Sequence, residues 1–349
     1  MTIPSLSQKL EYFFLIAFGI LFILGGTGVY RELSLFLNIA LVSAFLGYKL
    51  ARDGHLIVPK NFYIYMAFVA VLFAHTLLTG ARFMFFWLFL SGGATWLTVY
   101  NFKKLFEKHF LHLTIGLALA MGLAFFYSLA RGISSVSPDS HFLPLAPHIT
   151  HNHIADLWAV TLVAILFKLS EKPRFWHLIM IPLGVFFLTM GTSRSADLSL
   201  VIGAFYIFFR SGRHTWLKRA FSGVLTVAVL LAVYAGLAKT TLFSRPYFWT
   251  AIAGFFQHPL GIGMGNFEKL GSTSTLVHNV VLEVVSGIGI FSAIFIFWLY
   301  KTFKSLGDTK NANILYVAVF LAILANFFFD TTYVVPTMFW LWFVSLALE

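Results

Sequence analysis

The chain has 349 residues, of which 59% are hydrophobic and 11% are charged. An average soluble domain carries about 25% charged residues, so this composition leaves no room for a sizeable soluble domain. The formal net charge of +11 does not indicate nucleic-acid binding, because the basic residues are scattered through short connections. Cysteine is absent, which excludes a disulfide framework, a thiol nucleophile and a cysteine metal site.

Apolar segments recur from one end of the chain to the other, and they predict an all-α polytopic membrane protein with a single transmembrane domain over 1–349. The first segment follows Lys9 like a signal peptide, but no clear small-residue cleavage site follows, so we predict a retained helix. About 12 transmembrane helices are predicted, at 11–29, 33–48, 61–78, 83–100, 110–130, 154–167, 175–191, 195–209, 220–238, 280–300, 312–329 and 332–348.

The distribution of basic residues predicts the orientation of these spans. With the N-terminus inside, 17 of the 24 Lys and Arg residues fall in cytoplasmic segments and 7 fall in extracytoplasmic segments. This bias follows the positive-inside rule and places both termini in the cytoplasm. The two longest connections, 131–153 and 239–279, then lie outside, where binding or chemistry is expected.

The first of these connections is rich in histidine. His148, His151 and His153, with Asp156 nearby, have the composition of a metal site. Their H-x-x-H-x-H spacing does not match a helical pair of ligands, and we therefore expect an interfacial loop in which Asn152 caps the next helix. A third interpretation is that Asn152 and His153 line a site at the outer face.

The seventh and eighth predicted spans meet at an arginine. Thr192 or Ser193 is a good N-cap, which places Arg194 in the first turn of a helix at the outer interface. A cation there opposes the helix dipole, and an anion bound by both would relieve the conflict. Asp197 lies on the same face and could orient the guanidinium. The alternative is that Arg194 contacts only lipid head groups.

The longest outside connection, 239–279, begins with an amphipathic pattern. Arg245 is followed by Trp249 four residues later, and an apolar AIAGFF run comes next. This pattern predicts a short helix on the membrane surface. His258 and Pro259 would end that helix.

A glycine-rich run follows in the same connection. Gly261, Gly263 and Gly265 permit tight turns, and N–H groups exposed there could contact an anion. The run is not a nucleotide-binding P-loop, because no Gly-Lys-Ser/Thr follows it. Asn279 would then cap the tenth span, with His278 at the boundary between water and lipid.

These motifs together resemble the O-antigen ligase/polymerase family of bacterial membrane glycosyltransferases of the GT-C type. The resemblance covers about the C-terminal two thirds of the chain and rests on motifs that occur in the family's order. They are HNHIA at His151–Ala155, SRSA at 193–196, Arg245-x-x-x-Trp249, HPLGIG at 258–263, His278-Asn279, and Gly289.

The resemblance implies transfer of a glycan from undecaprenyl diphosphate to an acceptor hydroxyl on the outer face of the bacterial cytoplasmic membrane. It implies no metal, no other cofactor and no nucleotide sugar. Arg194 and Arg245 would bind the diphosphate and His278 would activate the acceptor, with Asn279, Gly263 and Asn152 as further substrate-binding candidates. The acceptor would be lipid A core for a ligase of lipopolysaccharide biosynthesis, or another polyprenyl-linked glycan for a polymerase.

The chemistry of these side chains is consistent with that activity. Guanidinium groups match phosphate oxygens, and an imidazole with a pKa of about 6.5 can accept a proton at neutral pH. Attack from the face opposite the diphosphate implies inversion. Glu283 is the nearest carboxylate to His278, but a separation of five helical residues rotates it by about 140°, so we do not expect it to orient the imidazole. A transporter or flippase of polyprenyl-linked glycans and a non-catalytic scaffold remain alternatives.

Overall fold

In the computed structural model of this protein, the described residues are 6–27, 31–130, 141–143, 146–171, 174–191, 193–210, 246–272, 274, 276–308 and 313–349. Within these ranges the chain forms thirteen α-helices and one short antiparallel hairpin. The helices are α1 Leu6–Thr27, α2 Arg31–Asp53, α3 Phe62–Thr79, α4 Phe83–Asn101, α5 Lys103–Ala130, α6 His151–Glu171, α7 Phe175–Gly191, α8 Arg194–Arg210, α9 Pro246–Gln257, α10 Val280–Ile288, α11 Ala293–Asp308, α12 Ile314–Phe329 and α13 Pro336–Leu348.

The predicted all-α membrane class is confirmed in its main outline. Six segments among the described residues are helical, long and apolar enough to cross a membrane, and three further apolar helices have 10–17 residues. The predicted ninth span, 220–238, lies outside the described residues, so the total of twelve stays a prediction.

A pair of short strands precedes α6, in the connection that we expected to be an interfacial loop. Strands β1, His141–Leu143, and β2, Ala146–Thr150, pair antiparallel, with Leu143 opposite Ala146. Pairing the two strands satisfies backbone groups next to the membrane that would otherwise need water.

Helices α12 and α13 lie at the centre of the bundle. Every residue of α13 from Pro336 to Leu348 is buried, and its Phe339 and Phe343 pack against the glycine face of α4 at Gly92. A Cβ at Gly92 would lie 2.6 Å from the ring of Phe343, so this glycine allows the two helices to approach closely. Gly203 of α8 has a similar role against α6, because a Cβ there would lie 2.5 Å from Val163.

The tenth predicted span is interrupted, which corrects our expectation of one continuous helix over 280–300. Helix α10 ends at Ile288, a 3₁₀ turn covers Gly289–Ser292, and α11 begins at Ala293. The break occurs because Gly289 adopts a φ of 60°, which favours glycine. The reason for that conformation is the connection that precedes α10, because its backbone packs directly against the break.

Candidate functional site

The first turn of α8 is attached to a buried carboxylate. Ser193 Oγ donates a hydrogen bond to Asp156 Oδ1 at 2.9 Å, and Ser195 Oγ donates to the same oxygen at 3.1 Å. Ser193 is also the N-cap, since its Oγ accepts from the Ala196 N–H at 3.3 Å. The two serines flank Arg194, which is exposed at the start of the helix as predicted.

The connection between α12 and α13 completes this polar cluster. Thr332 Oγ1 donates to Asp156 Oδ2 at 3.2 Å and also bonds the Asn326 amide oxygen. Asp330 Oδ2 lies 3.3 Å from Ser195 Oγ, so the single proton of this hydroxyl is shared between Asp330 and Asp156. Two carboxylates, three hydroxyls and an amide therefore meet where α6, α8 and α12 come together.

The segment that carries His278 is attached to the same end of α12. Asn279 caps α10 as predicted, because its Oδ1 accepts from the Leu282 N–H at 3.0 Å. Its Nδ2 donates to the Phe328 carbonyl at 3.0 Å, two residues before Asp330. The structure thus joins the Arg194 segment and the His278 segment through the last residues of α12.

His278 has an unusual backbone conformation. Its φ is 60°, and it is the only described residue other than glycine with a positive φ. Histidine tolerates the left-handed region better than most residues, but such a conformation costs of order 1–3 kcal/mol and concentrates at functional sites. His278 is half-buried, and its neighbours in the chain are the buried Val277 and the capping Asn279.

Glu283 holds the connection in place through its backbone. Its side chain is 1% exposed and accepts hydrogen bonds from the N–H of Gly265 at 2.8 Å and of Val277 at 2.9 Å. The Tyr333 hydroxyl donates a third bond at 3.2 Å. Glu283 therefore fixes Val277, the residue next to His278, through its backbone N–H.

The glycine-rich run serves packing within the protein. The N–H of Gly263 donates to the Gly287 carbonyl at 2.8 Å, and the N–H of Ile262 donates to the Ser286 carbonyl at 3.1 Å. We expected the N–H groups of this run to be exposed and to contact an anion. The N–H groups of Ile262, Gly263 and Gly265 have protein partners instead, so we do not assign them to an anion. The run instead lies along α10 beside the helix break.

The remaining predicted residues are placed as follows. Arg245 lies outside the described residues, directly before α9, and α9 ends before His258 with Trp249 exposed. The prediction that Asn152 caps α6 was wrong: the helix begins at His151, so Asn152 lies half-buried inside its first turn, one turn before Asp156. One end of the bundle therefore carries Asn152, Arg194, His278 and Asn279. Gly263 is not in this group, because it packs against Gly287 near the C-terminal end of α10.

Two features of this region were not predicted. Asp156 was considered only as a metal ligand, and its place beneath Arg194 depends on a contact between separate helices. Arg82, in the α3–α4 connection, lies beside the glycine run: its Cδ is 3.1 Å from a Cβ built on Gly265, and its guanidinium is 3.6 Å from Glu268. The sequence offered one indication of Arg82: it lies in a connection that the distribution of Lys and Arg predicts to be extracytoplasmic.

The histidine-rich connection gives no metal-binding constellation in the part of the chain that the structure describes. No group of three His, Cys, Asp or Glu side chains suited to a metal occurs there. His153 is buried, whereas the side chains of His148 and His151 lie outside the described residues.

Comparison with known proteins does not assign the chain to a family. No known family model matches it, and no characterised protein matches it in sequence. The fold and composition define the class as a helical membrane protein. The polar cluster where α6, α8 and α12 meet is the feature of this fold that bears on a narrower function.

Replacing Glu283 by Gln is expected to loosen this end of the protein. The amide has one acceptor oxygen, so either Gly265 or Val277 would face an NH₂ group and lose its bond. The cost of an unsatisfied buried N–H is about 1–3 kcal/mol, which a lower unfolding temperature in detergent would report. Glu107→Gln, at an exposed carboxylate of α5, is the control and should unfold like the wild type. Equal unfolding temperatures for both variants would contradict the Glu283 clamp, by which we mean its hydrogen bonds to the N–H groups of Gly265 and Val277.

Proposed function

We propose that this protein is a metal-independent, inverting membrane glycosyltransferase of the O-antigen ligase or polymerase type. It would transfer a glycan from undecaprenyl diphosphate to an acceptor hydroxyl on the extracytoplasmic face of the bacterial cytoplasmic membrane. The observation that carries the proposal is the attachment of the Arg194 and His278 segments to one end of α12. A cation and a base are thereby brought to the same end of the bundle.

The donor site would use two arginines. Diphosphate is already a good leaving group, so the protein has to stabilise the negative charge that develops on it. Arg194, with the N-terminus of α8 behind it, suits this task, and Arg245 at the start of α9 would supply the second guanidinium. Asn152 would contact the glycan, and Gly263 would act by allowing the connection to pack closely.

The acceptor site would use His278 as a general base. As the acceptor oxygen attacks the anomeric carbon, its proton passes to the imidazole, the bond from that carbon to the phosphate oxygen breaks, and undecaprenyl diphosphate departs. General base catalysis of this kind typically contributes about 10²–10⁴-fold in rate. Asn279 would position the adjacent His278, because its own side chain is anchored to the Phe328 carbonyl.

A transfer assay in reconstituted membranes tests this proposal. Purified protein, undecaprenyl-diphosphate glycan and EDTA would be combined with and without a second acceptor such as lipid A core. Ladders on the donor lipid alone would identify a polymerase, and transfer only to the second acceptor would identify a ligase. Binding of the donor without turnover in either condition would contradict the proposed glycosyltransferase activity.

A transporter or flippase is the second candidate, and the interrupted tenth span favours it. Broken helices are common in transporters, where they expose backbone groups to a solute. Here the break at Gly289 is filled by the chain itself, since the Ile290 N–H donates to the Pro259 carbonyl at 2.9 Å. Movement of labelled polyprenyl-linked glycan across proteoliposomes without glycan transfer would decide for transport.

Arg194→Lys is expected to weaken donor use. A lysine keeps the charge but replaces the planar fork by a point charge, so a bidentate contact to phosphate is lost. One charge-assisted hydrogen bond contributes about 1.5–3 kcal/mol, which corresponds to a rise of roughly tenfold or more in donor KM. Arg245→Lys should behave similarly.

The matched control for Arg194→Lys is Arg210→Lys, at the exposed far end of the same helix. Initial rates at varied donor concentration would compare the two variants. An unchanged donor KM in both Arg194→Lys and Arg245→Lys would remove the diphosphate site.

A further inference from the structure

Asp156 lies under the first turn of α8 and has no exposed surface. It accepts hydrogen bonds from Ser193 and Ser195, the two neighbours of Arg194, and a third from Thr332. A buried carboxylate is costly unless its oxygens are satisfied, and this one is satisfied mainly by the residues that flank the exposed arginine. This arrangement connects a buried carboxyl group in α6 to the segment that presents Arg194.

We propose that Asp156 is a positioning residue, which holds the start of α8 so that the Arg194 guanidinium is preorganised for a phosphate group. The inference rests on the proposed function for the identity of the ligand, a lipid diphosphate. The attachment of Arg194 to Asp156 is independent of that function and can be measured separately.

The direction of the hydroxyl protons explains how Asp156 acts. A serine hydroxyl has one proton to donate and two lone pairs to accept with. Because Ser193 gives its proton to Asp156, a lone pair of its oxygen remains for the Ala196 N–H, which is the N-cap bond. Asp156 thus sets the hydroxyl in the orientation that begins the helix.

The second serine extends the attachment to another helix. Ser195 Oγ lies within hydrogen-bond distance of Asp156 on α6 and of Asp330 at the end of α12. The first turn of α8 is therefore held at Ser193 and at Ser195, the residues immediately before and after Arg194. A guanidinium carried by a rigid helix turn loses less conformational entropy on binding. It also needs less reorganisation when charge develops on the leaving phosphate.

The geometry predicts how loss of the carboxylate changes both order and affinity. Asp156→Asn keeps the shape of the side chain, but its NH₂ group replaces one acceptor, so a hydroxyl on one side loses its partner. Ser193→Ala removes the hydroxyl that bonds Asp156 and caps α8, and it leaves the carboxyl group of Asp156 in place. Both variants should loosen the first turn of α8 and weaken binding of the lipid diphosphate.

The test uses the absence of cysteine, because a single introduced cysteine can be labelled without background. A nitroxide at Asp197→Cys, an exposed position in the first turn of α8, reports local order in nanodiscs. Its spectrum would be compared between the wild-type background, Asp156→Asn and Ser193→Ala. The control is Thr161→Val, which removes a buried α6 hydroxyl that bonds only the carbonyls of Leu157 and Thr114.

We expect a more mobile nitroxide spectrum in both test variants and an unchanged spectrum in the control. Binding of undecaprenyl diphosphate, measured without the label, should weaken roughly tenfold in the same two variants, and in turnover the donor KM should rise more than kcat falls. A wild-type spectrum in both test variants would overturn the attachment. A mobile spectrum with unchanged lipid affinity would overturn the positioning role. If the wild type binds the lipid but transfers no glycan, the proposed function fails and both measurements on Asp156 still stand.

Discussion

His278→Ala is expected to abolish glycan transfer and to leave donor binding intact. The acceptor hydroxyl would lose the group that takes its proton, and the loss should be about 10²–10⁴-fold in kcat. Alanine also has difficulty with the φ of 60° at this position, at a cost of roughly 1–2 kcal/mol. A single alanine variant would therefore mix a chemical effect with a backbone effect.

His278→Asn separates the two effects. Asparagine adopts the left-handed region more readily than alanine and has no basic nitrogen, so the backbone should be kept and the base removed. We expect both variants to lose transfer, and the asparagine variant to unfold at a temperature closer to that of the wild type. His55→Ala, at an exposed histidine in the α2–α3 connection, is the control. Wild-type turnover by His278→Asn would remove the base assignment.

Gly289→Ala is expected to be the most destabilising of the substitutions considered. A Cβ at this position would lie 2.1 Å from the Pro259 carbonyl oxygen and 2.6 Å from the Gly261 nitrogen, and the residue has a φ of 60°. Both neighbours are backbone atoms, so no side chain can rotate away. The connection would have to separate from α10, and the hydrogen bonds from Gly263 and Ile290 would be lost.

Gly116→Ala provides the matched control, because Gly116 is in helix α5 and no atom outside its own helix backbone lies within 4 Å of a Cβ built there. That change should be neutral or stabilising by roughly 0.5–1 kcal/mol. Thermal unfolding in detergent, with folded yield after membrane extraction, would compare the two. A Gly289→Ala protein as stable as Gly116→Ala would contradict the packing at the break.

The periodic and capping features of this protein could be predicted because they depend on local physics. Apolar runs identify the helices, and the caps at Ser193 and Asn279 follow from residue type and position. The predicted helix over 280–300 was wrong at its centre. Its interruption at Gly289 depends on a connection that arrives from 30 residues earlier, and no pattern within the segment reports that contact.

The polar groups beneath the candidate site could not be assigned from the sequence for the same reason. Asp156 and Ser195 are 39 residues apart, and Glu283 acts on Gly265 across 18 residues. The sequence indicated which polar side chains lie at the ends of helices, among them Arg194 and His278. It did not indicate which buried carboxylates hold those ends, because that depends on how the helices pack together.

The clamp formed by Glu283 has a consequence for biogenesis. The span Val280–Gly307 contains this carboxyl group in its first turn, and an acidic side chain within a transmembrane helix disfavours insertion. While the span enters the bilayer, the N–H groups of Gly265 and Val277 can satisfy Glu283 only after the preceding connection has folded back along α10. We therefore expect this connection and the tenth span to mature together, as one late step of assembly that leaves the outer end of the bundle unformed until the last helices are in the membrane.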